Sequence, residues 1–434
     1  MSKITEQKKQ GKKVADVEQP TEEPAKTDLS NTPSFSREIN AFALEIESLS
    51  RAKSQAMKAV INSTENMVKS LTTFIDEKGI TDNKEEGKHI YKTKLDDLQL
   101  LNKWMKDIRS SSFAIQKTPQ IFFCALIHQY DAFLGKLLRV IFCVKPEFLN
   151  ASQKQITFSE LMSFGSLDEA LQHLVEKEIE SIIRESHVDQ LKWMENKFKL
   201  PLRKGLSAWP LFIEITERRN LFVHCDGVVS SQYLTTCRSH KIKLEKGIKL
   251  GEVLTVKEEY FESAVDCILE VGVKLGHVLW RKFSPNQLSD ADKSLHQISY
   301  DLLVDEKYKL SKKLLQFATD TLKKHSSDSI RRMNLINLAI AHYYTGEKSM
   351  TSKILDTQDW SACEDKFKLA VAVLRNDYPT AEEYMKKIGK RGDVTREHYS
   401  SWPLFRTFRE SKEFLRTYKK LFGEEFLVSK EAVK

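Results

Sequence analysis

The sequence predicts an all-α protein, and three observations carry that expectation. Glycine (15) and proline (10) are scarce among 434 residues, which leaves few turn formers for a sandwich or a Rossmann-type sheet. Apolar residues recur at helical spacing along most of the chain rather than alternating. Near the C-terminus, helices with small residues inside them recur in pairs. With 41% apolar and 30% charged residues, the chain can fill two or three domains around real cores. The pattern divides it into a tail over 1–34, a helical hairpin or coiled-coil arm over 35–117, a helical bundle over 118–285 and a helical-repeat region over 286–434.

The tail (QKKQGKK, EQPTEEPAK) has almost no large apolar groups. It cannot repay the entropy of folding and is expected to be disordered. From Phe35 the pattern changes. Phe42, Leu49 and Ala56 repeat at seven with Ile46 and Ala52 between them, and Ile61, Val68 and Ile75 extend the stripe to Gly79, an expected helix stop. A second helix is expected from Lys84 to Ser110, with Tyr91, Leu95, Leu98, Leu101, Met105 and Ile108 on one side. Such stripes are core or a helical partner face.

The bundle opens at Thr118-Pro119, read as an N-cap followed by proline in the first turn. The helix Gln120 to Val144 is apolar nearly all round, so it is expected to be central and buried. Its run is interrupted by His128, Gln129, Asp131, Lys136 and Arg139, too polar to span a bilayer. Phe158 to Ser186 adds one or two packing helices, and Lys257 to Lys282 closes the bundle. Six cysteines are scattered without a C-x-x-C pair. Cys124, Cys143 and Cys267 lie in apolar helical runs, where buried free thiols are common, so neither a zinc site nor a disulfide framework is expected. The basic start lacks the apolar core of a secretory signal. The expectation is a soluble, cytoplasmic protein without cofactor, metal or membrane.

Ala208 to Gly227 (AWPLFIEITERRNLFVHCDG) reads as one helix that starts at Trp209-Pro210 and stops at Asp226-Gly227. At about 100° per residue, Ala208, Leu211, Phe212, Ile215 and Phe222 share an apolar arc, and Arg219 falls inside it. A guanidinium there needs an anionic partner. Asp131 is the candidate, either holding Arg219 ready or merely neutralising it. His224 lies one turn after Asn220, and Arg219 and His224 point about 140° apart. They converge if the helix end unwinds, if the arginine reaches round, or if a second chain supplies the partner group. Arginine suits charge stabilisation on a phosphate and histidine suits proton transfer near neutral pH. The structural alternative makes Arg219 a member of a buried ion pair and His224 a helix-end residue.

Arg219-Asn220-Leu221-Phe222-Val223-His224, followed by Cys225-Asp226-Gly227-Val228-Val229 and then Tyr233, resembles the signature of HEPN domains of the RiboL-PSP type. Upstream, the helix carrying His128, Tyr130 and Asp131, and then Leu191-Lys192-Trp193, follow the same order. The resemblance spans roughly Thr118 to Phe283. It implies an all-α bundle and, in many members, metal-independent RNA cleavage by a homodimer that brings two Arg/His motifs together; other members only bind. It makes Arg219, His224 and Asn220 the catalytic candidates and Asp131, His128 and Tyr130 their supports.

Lys241 to Thr255 alternates apolar and charged residues around glycines, as a small β-hairpin or an extended loop would. Arg238, Lys241, Lys243, Lys246 and Lys249 form a basic run there, either a track for an RNA backbone or lysines that block an exposed edge strand. The net charge of +8 permits RNA contact without demanding it. Farther on, Leu338-Ala-Ile-Ala and Leu369-Ala-Val-Ala recur, each leading through a polar turn (Gly346-Glu347; Asn376-Asp377) into a second helix, with a fainter copy around Asp305-Glu306. These pairs resemble tetratricopeptide-type repeats, which present a surface for a peptide or protein. Ser401-Trp-Pro-Leu-Phe echoes Ala208-Trp-Pro-Leu-Phe, which helix initiation explains.

Two functions compete: a dimeric HEPN-type ribonuclease of defence or stress response, and a non-catalytic helical RNA-binding or scaffold protein. Kinases, Rossmann enzymes and zinc hydrolases are disfavoured, since neither a glycine-rich phosphate loop nor H-E-x-x-H is present.

Overall fold

The computed structural model describes residues 33–427 except 79–80, 86–87, 93 and 151–155. The expected tail therefore lies, up to residue 32, outside the described residues. The fold is all-α. Its helices are α1 (Phe35–Glu77), α2 (Leu95–Val144), α3 (Glu147–Asn150), α4 (Phe158–Leu161), α5 (Leu167–Ile183), α6 (His187–Phe198), α7 (Trp209–His224), α8 (Ser231–Ser239) and α9 (Glu258–Phe283). They are followed by α10 (Leu288–Val304), α11 (Tyr308–Gln316), α12 (Asp328–Tyr344), α13 (Lys348–Asp356), α14 (Asp365–Leu374), α15 (Tyr378–Ile388), α16 (Arg396–Ser401) and α17 (Lys412–Phe422).

Two expectations about the first third need correction. The segment from Lys84 is not yet helix: Thr81–Glu85 (β1) pairs antiparallel with Lys88–Lys92 (β2), Thr81 opposite Lys92, before α2 begins. Nor does a helix start at Thr118-Pro119. Pro119 sits inside α2, which runs for 50 residues. Proline has no N–H to give the carbonyl four residues back, and Thr118 Oγ1 bonds the Ala114 carbonyl at 2.7 Å. The helix continues because its C-terminal half is anchored in the core, where Phe123, Leu126, Ile127, Tyr130, Phe133, Leu134 and Leu137 are buried. Tertiary packing outweighs one local breaker. The boundary expected between 117 and 118 thus falls within a single helix.

The hairpin of α1 and α2 is also not an arm apart from the bundle. Phe35, Ile39, Phe42, Ala43 and Ile46 of α1 join α2, α7 and α9 in one core. Two glycines on α9 allow the approach: a Cβ on Gly272 would stand 2.2 Å from the Phe42 ring, and one on Gly276 would stand 2.7 Å from Ile39. Any side chain there would push α1 off α9. By length and composition α2 could also cross a membrane, a test that buried core helices pass too. Its apolar window has mean hydropathy 1.3, and 44% of it is buried inside the fold. Of the three cysteines expected to be buried, Cys267 is, Cys124 is half-buried and Cys143 is exposed; all six are free thiols.

The C-terminal helices form pairs with one recurring turn. In α10–α11, α12–α13 and α14–α15 the turn residue with positive φ is Glu306, Gly346 and Asn376. In each, the next N–H reaches five residues back: Lys307 to Leu302, Glu347 to His342 and Asp377 to Ala372. Side chains are placed alike as well. Ser311 Oγ bonds the Ser299 carbonyl at 2.7 Å and Thr351 Oγ1 the Ala339 carbonyl at 3.2 Å. The copy around Asp305-Glu306, faint in sequence, is equivalent in backbone geometry. The pairs are not sealed off at residue 286. Ala291, Leu295 and Leu302 of α10 pack in the bundle core, while Leu303 and Leu315 pack with the later helices.

Candidate active site

Helix α7 carries the motif. Pro210 stands in its first turn, where a missing N–H costs nothing. It ends where Asp226 (φ 48°) and Gly227 (φ 83°) turn the chain left-handed, and Gly227 N–H returns to the Leu221 carbonyl at 3.0 Å. A Cβ on Gly227 would meet the Leu254 carbonyl at 3.0 Å and the Phe222 ring at 3.2 Å. The position is closed to other residues by conformation and space together. The chain then pairs with the loop before α9: Val229 N–H bonds the Glu252 carbonyl, and Leu254 N–H the Gly227 carbonyl. Lys241 to Thr255 is accordingly a loop with one bridge, Val228 to Val253. Of the two forms expected, the extended loop is present and the hairpin is not.

The arc drawn on an ideal helix placed the wrong arginine inside. Arg218 is the buried one, 4% exposed, whereas Arg219 keeps a quarter of its side chain exposed (25%). Leu211, expected inside, is 37% exposed. The reason is that α7 is enclosed on several sides, by α2, α6, α8 and α9, so burial does not follow a single stripe. Arg218 Nε donates to Glu214 Oε1 at 2.7 Å, one turn back. Tyr233 and Tyr260 donate their hydroxyls to the same carboxylate. Burial, reinforced by Glu214, pushes both tyrosine hydroxyls well above their ordinary range. Burial opposes the Arg218 charge, yet Tyr260 and Glu214 raise its pKa overall. The motif tyrosine thus serves a buried ion pair.

Arg219 faces Asp131, as one of the expected pairings required. Its Nη2 stands 3.3 Å from Asp131 Oδ2. The other oxygen, Oδ1, lies 2.8 Å from His187 Nε2, so one carboxylate of α2 joins α6 and α7. His187 was not singled out in the sequence. It is the first residue of α6, behind the capping Ser186, and no spacing rule links it to Asp131. Glu217 completes the surroundings: burial raises its carboxyl above the ordinary range, and His187 and Arg219 oppose the rise. Burial likewise raises the Cys124 thiol, with Arg219 acting against it. Arg219 Nε is buried without a hydrogen-bond partner.

The other candidates are less concentrated. Tyr130 is fully buried with its hydroxyl unpartnered, its ring 5.9 Å from His187 and 4.9 Å from Phe212. His128 is exposed, as is His224 at the last position of α7, and Asn220 is half-buried. No hydrogen bond joins Arg219 to His224 among the described residues. Arg238, Lys241, Lys243, Lys246 and Lys249 are all exposed. They lie on the end of α8 and on a loop, so the edge-strand explanation for the lysines falls away. No group of three or more His, Cys, Asp or Glu that could hold a metal ion occurs among the described residues. Compared with family models, curated proteins and solved structures, the chain matches none.

Proposed function

We propose that this protein is a HEPN-type endoribonuclease that cleaves RNA without a metal ion, as a homodimer. The observation that carries the reading is the arrangement on α7: Arg219 is oriented by a single 3.3 Å contact to Asp131, and His224 stands exposed at the end of the same helix. In the reaction a ribose 2′-oxygen bonds to the adjacent phosphorus and the bond to the 5′-oxygen breaks. The 2′-hydroxyl proton passes to a base, and the leaving 5′-oxygen receives a proton from an acid. His224 serves as one of these groups, and its copy in the second chain serves as the other. Arg219 stabilises the charge that builds on the phosphate, and Asn220 orients it. Arg238, Lys241, Lys243 and Lys246 contact the flanking backbone.

The test is purified protein with end-labelled RNA in excess chelator, wild type beside His224→Ala. Cleavage by the wild type alone, leaving cyclic phosphate ends, is the expected result. Activity that disappears in chelator and returns with magnesium would overturn the mechanism. The repeated helix pairs of α10 to α15 favour a second role beside this one, docking of a peptide or protein on tetratricopeptide-like repeats.

A further inference from the structure

A groove of about 650 Å³ opens on the side of α7 that carries Arg218, between that helix, the loop 241–245 and the first turn of α9. Arg218 lines it, and its guanidinium lies 3.8 Å from the Tyr260 ring centroid. Only Nε is engaged, by Glu214. The two terminal amino groups of this almost fully buried arginine have no hydrogen-bond partner among the described residues. Glu214 also accepts from the Tyr233 and Tyr260 hydroxyls, and neither terminal amino group of Arg218 bonds to it. A guanidinium fork fixed by stacking, with both tines unspent, is a preorganised receptor for a two-oxygen anion.

The second contribution is the start of α9. Its N-cap, Lys257, makes no side-chain cap, and Lys257, Glu259 and Tyr260 line the same groove. Glu258, the first residue of the helix, pairs with the buried Lys53. The first N–H groups of a 26-residue helix are therefore left without a side-chain acceptor, at the positive end of its dipole. Lys241 and Lys243 add two exposed cations, and Ile242 and Leu244 give the groove an apolar wall. Glu245 and Glu259 also line it. Inside the groove these acids offset the lysines, which suits one anionic group better than several in a row. A compact dianion that meets the fork and the helix end together fits better.

We propose that this groove binds the phosphate of a phosphomonoester, the chemistry shared by a free phosphorylated small molecule and by the phosphorylated 5′ end of a nucleic-acid strand. The site is distinct from the one around Asp131 and does not depend on RNA cleavage, although it shares Lys241 and Lys243 with the backbone contacts proposed above. Titration calorimetry on the full chain at constant ionic strength tests it, with inorganic phosphate, AMP, and a 2′-O-methyl RNA hexamer with either a 5′-phosphate or a 5′-hydroxyl. The variant is Lys241→Ala/Lys243→Ala, whose exposed side chains can be removed without disturbing the fold. Wild type should bind phosphate and AMP saturably, and the double variant should bind about tenfold or more weakly with an unchanged Tm. AMP bound and the hexamers not bound assigns the site to a free ligand. The 5′-phosphorylated hexamer bound about tenfold tighter than its 5′-hydroxyl form assigns it to a strand end. No saturable binding of any phosphate probe up to about 10 mM, undiminished binding by the variant, or equal binding of acetate would overturn the proposal.

Discussion

Arg219 Nη2 and Asp131 Oδ2 stand 3.3 Å apart, and the same carboxylate takes His187 at 2.8 Å through its other oxygen. The Arg219 pair is long and partly exposed, which suits positioning more than stability. Its neighbour Arg218 is the reverse, with side-chain exposures of 5% for Arg218 and 4% for Glu214. Arg218→Ala strands the Glu214 charge in the interior and should cost about 3–5 kcal/mol. Arg219→Ala should cost about 1 kcal/mol or less. Urea unfolding of both variants checks the difference, and equal losses would contradict it.

His224 ends α7 in solvent. His224→Ala should shift stability by no more than about 0.5 kcal/mol. If the histidine moves the proton, cleavage should fall by about a hundredfold or more. A thermal melt and an RNA-cleavage time course on one preparation decide the matter. A variant that melts far earlier places His224 in the core, and one that cleaves like wild type removes it from the chemistry.

Val223, 54% exposed, precedes His224 on the same helix turn. If two motif helices face each other, this side chain lies at or near the contact, and Val223→Glu would set like charges against one another across the two-fold axis. Sedimentation velocity at micromolar concentration should show a dimer for wild type and a shift toward monomer for Val223→Glu, with cleavage falling in parallel. A wild-type monomer that still cleaves RNA would rule out the paired-motif arrangement.

His277 gives the fold a defined acid sensitivity. It is fully buried, stacks on Trp280 at 5.8 Å, and neither ring nitrogen has a partner. Burial lowers its pKa to about 3, with Arg281 acting in the same direction and Asp292 against it. As pH falls below the unfolded value of about 6.5, the unfolded chain takes a proton that the folded chain refuses. Stability present at pH 7 should therefore be lost progressively toward pH 3, about 2 kcal/mol of it by pH 5 from this group alone. His296, lowered by burial, acts in the same sense. Denaturant midpoints at pH 7 and pH 5 should show a smaller loss in His277→Phe than in wild type. An equal loss would mean that His277 is protonated in the folded state.

Elements and site were legible to different depths. The stripe from Phe42 to Ile75 became α1, and the run from Gln120 to Val144 became the buried half of α2. The halt at Asp226-Gly227 was readable because a left-handed turn leaves a chemical signature. Pro119 misled, since its local penalty is real but smaller than the packing of the half of α2 that follows it. The assignment of Arg218 and Arg219 also misled. Adjacent positions differ by about 100° on a helix, and which one is buried depends on how many neighbours enclose it.

By itself the sequence determined the helical class, the extent of α1, α7 and α9, the paired turns of α10 to α15 and the candidate partnership of Asp131 with Arg219, because periodicity, capping and unmatched charge are local or nearly local signals. Only the tertiary structure decided that α1 belongs to the bundle core, that His187 shares Asp131, that Arg218 is the buried arginine, and that Arg218 and the start of α9 line one groove. Those relationships join residues far apart in the chain through the packing of whole helices. No spacing along the sequence encodes which helix faces come together.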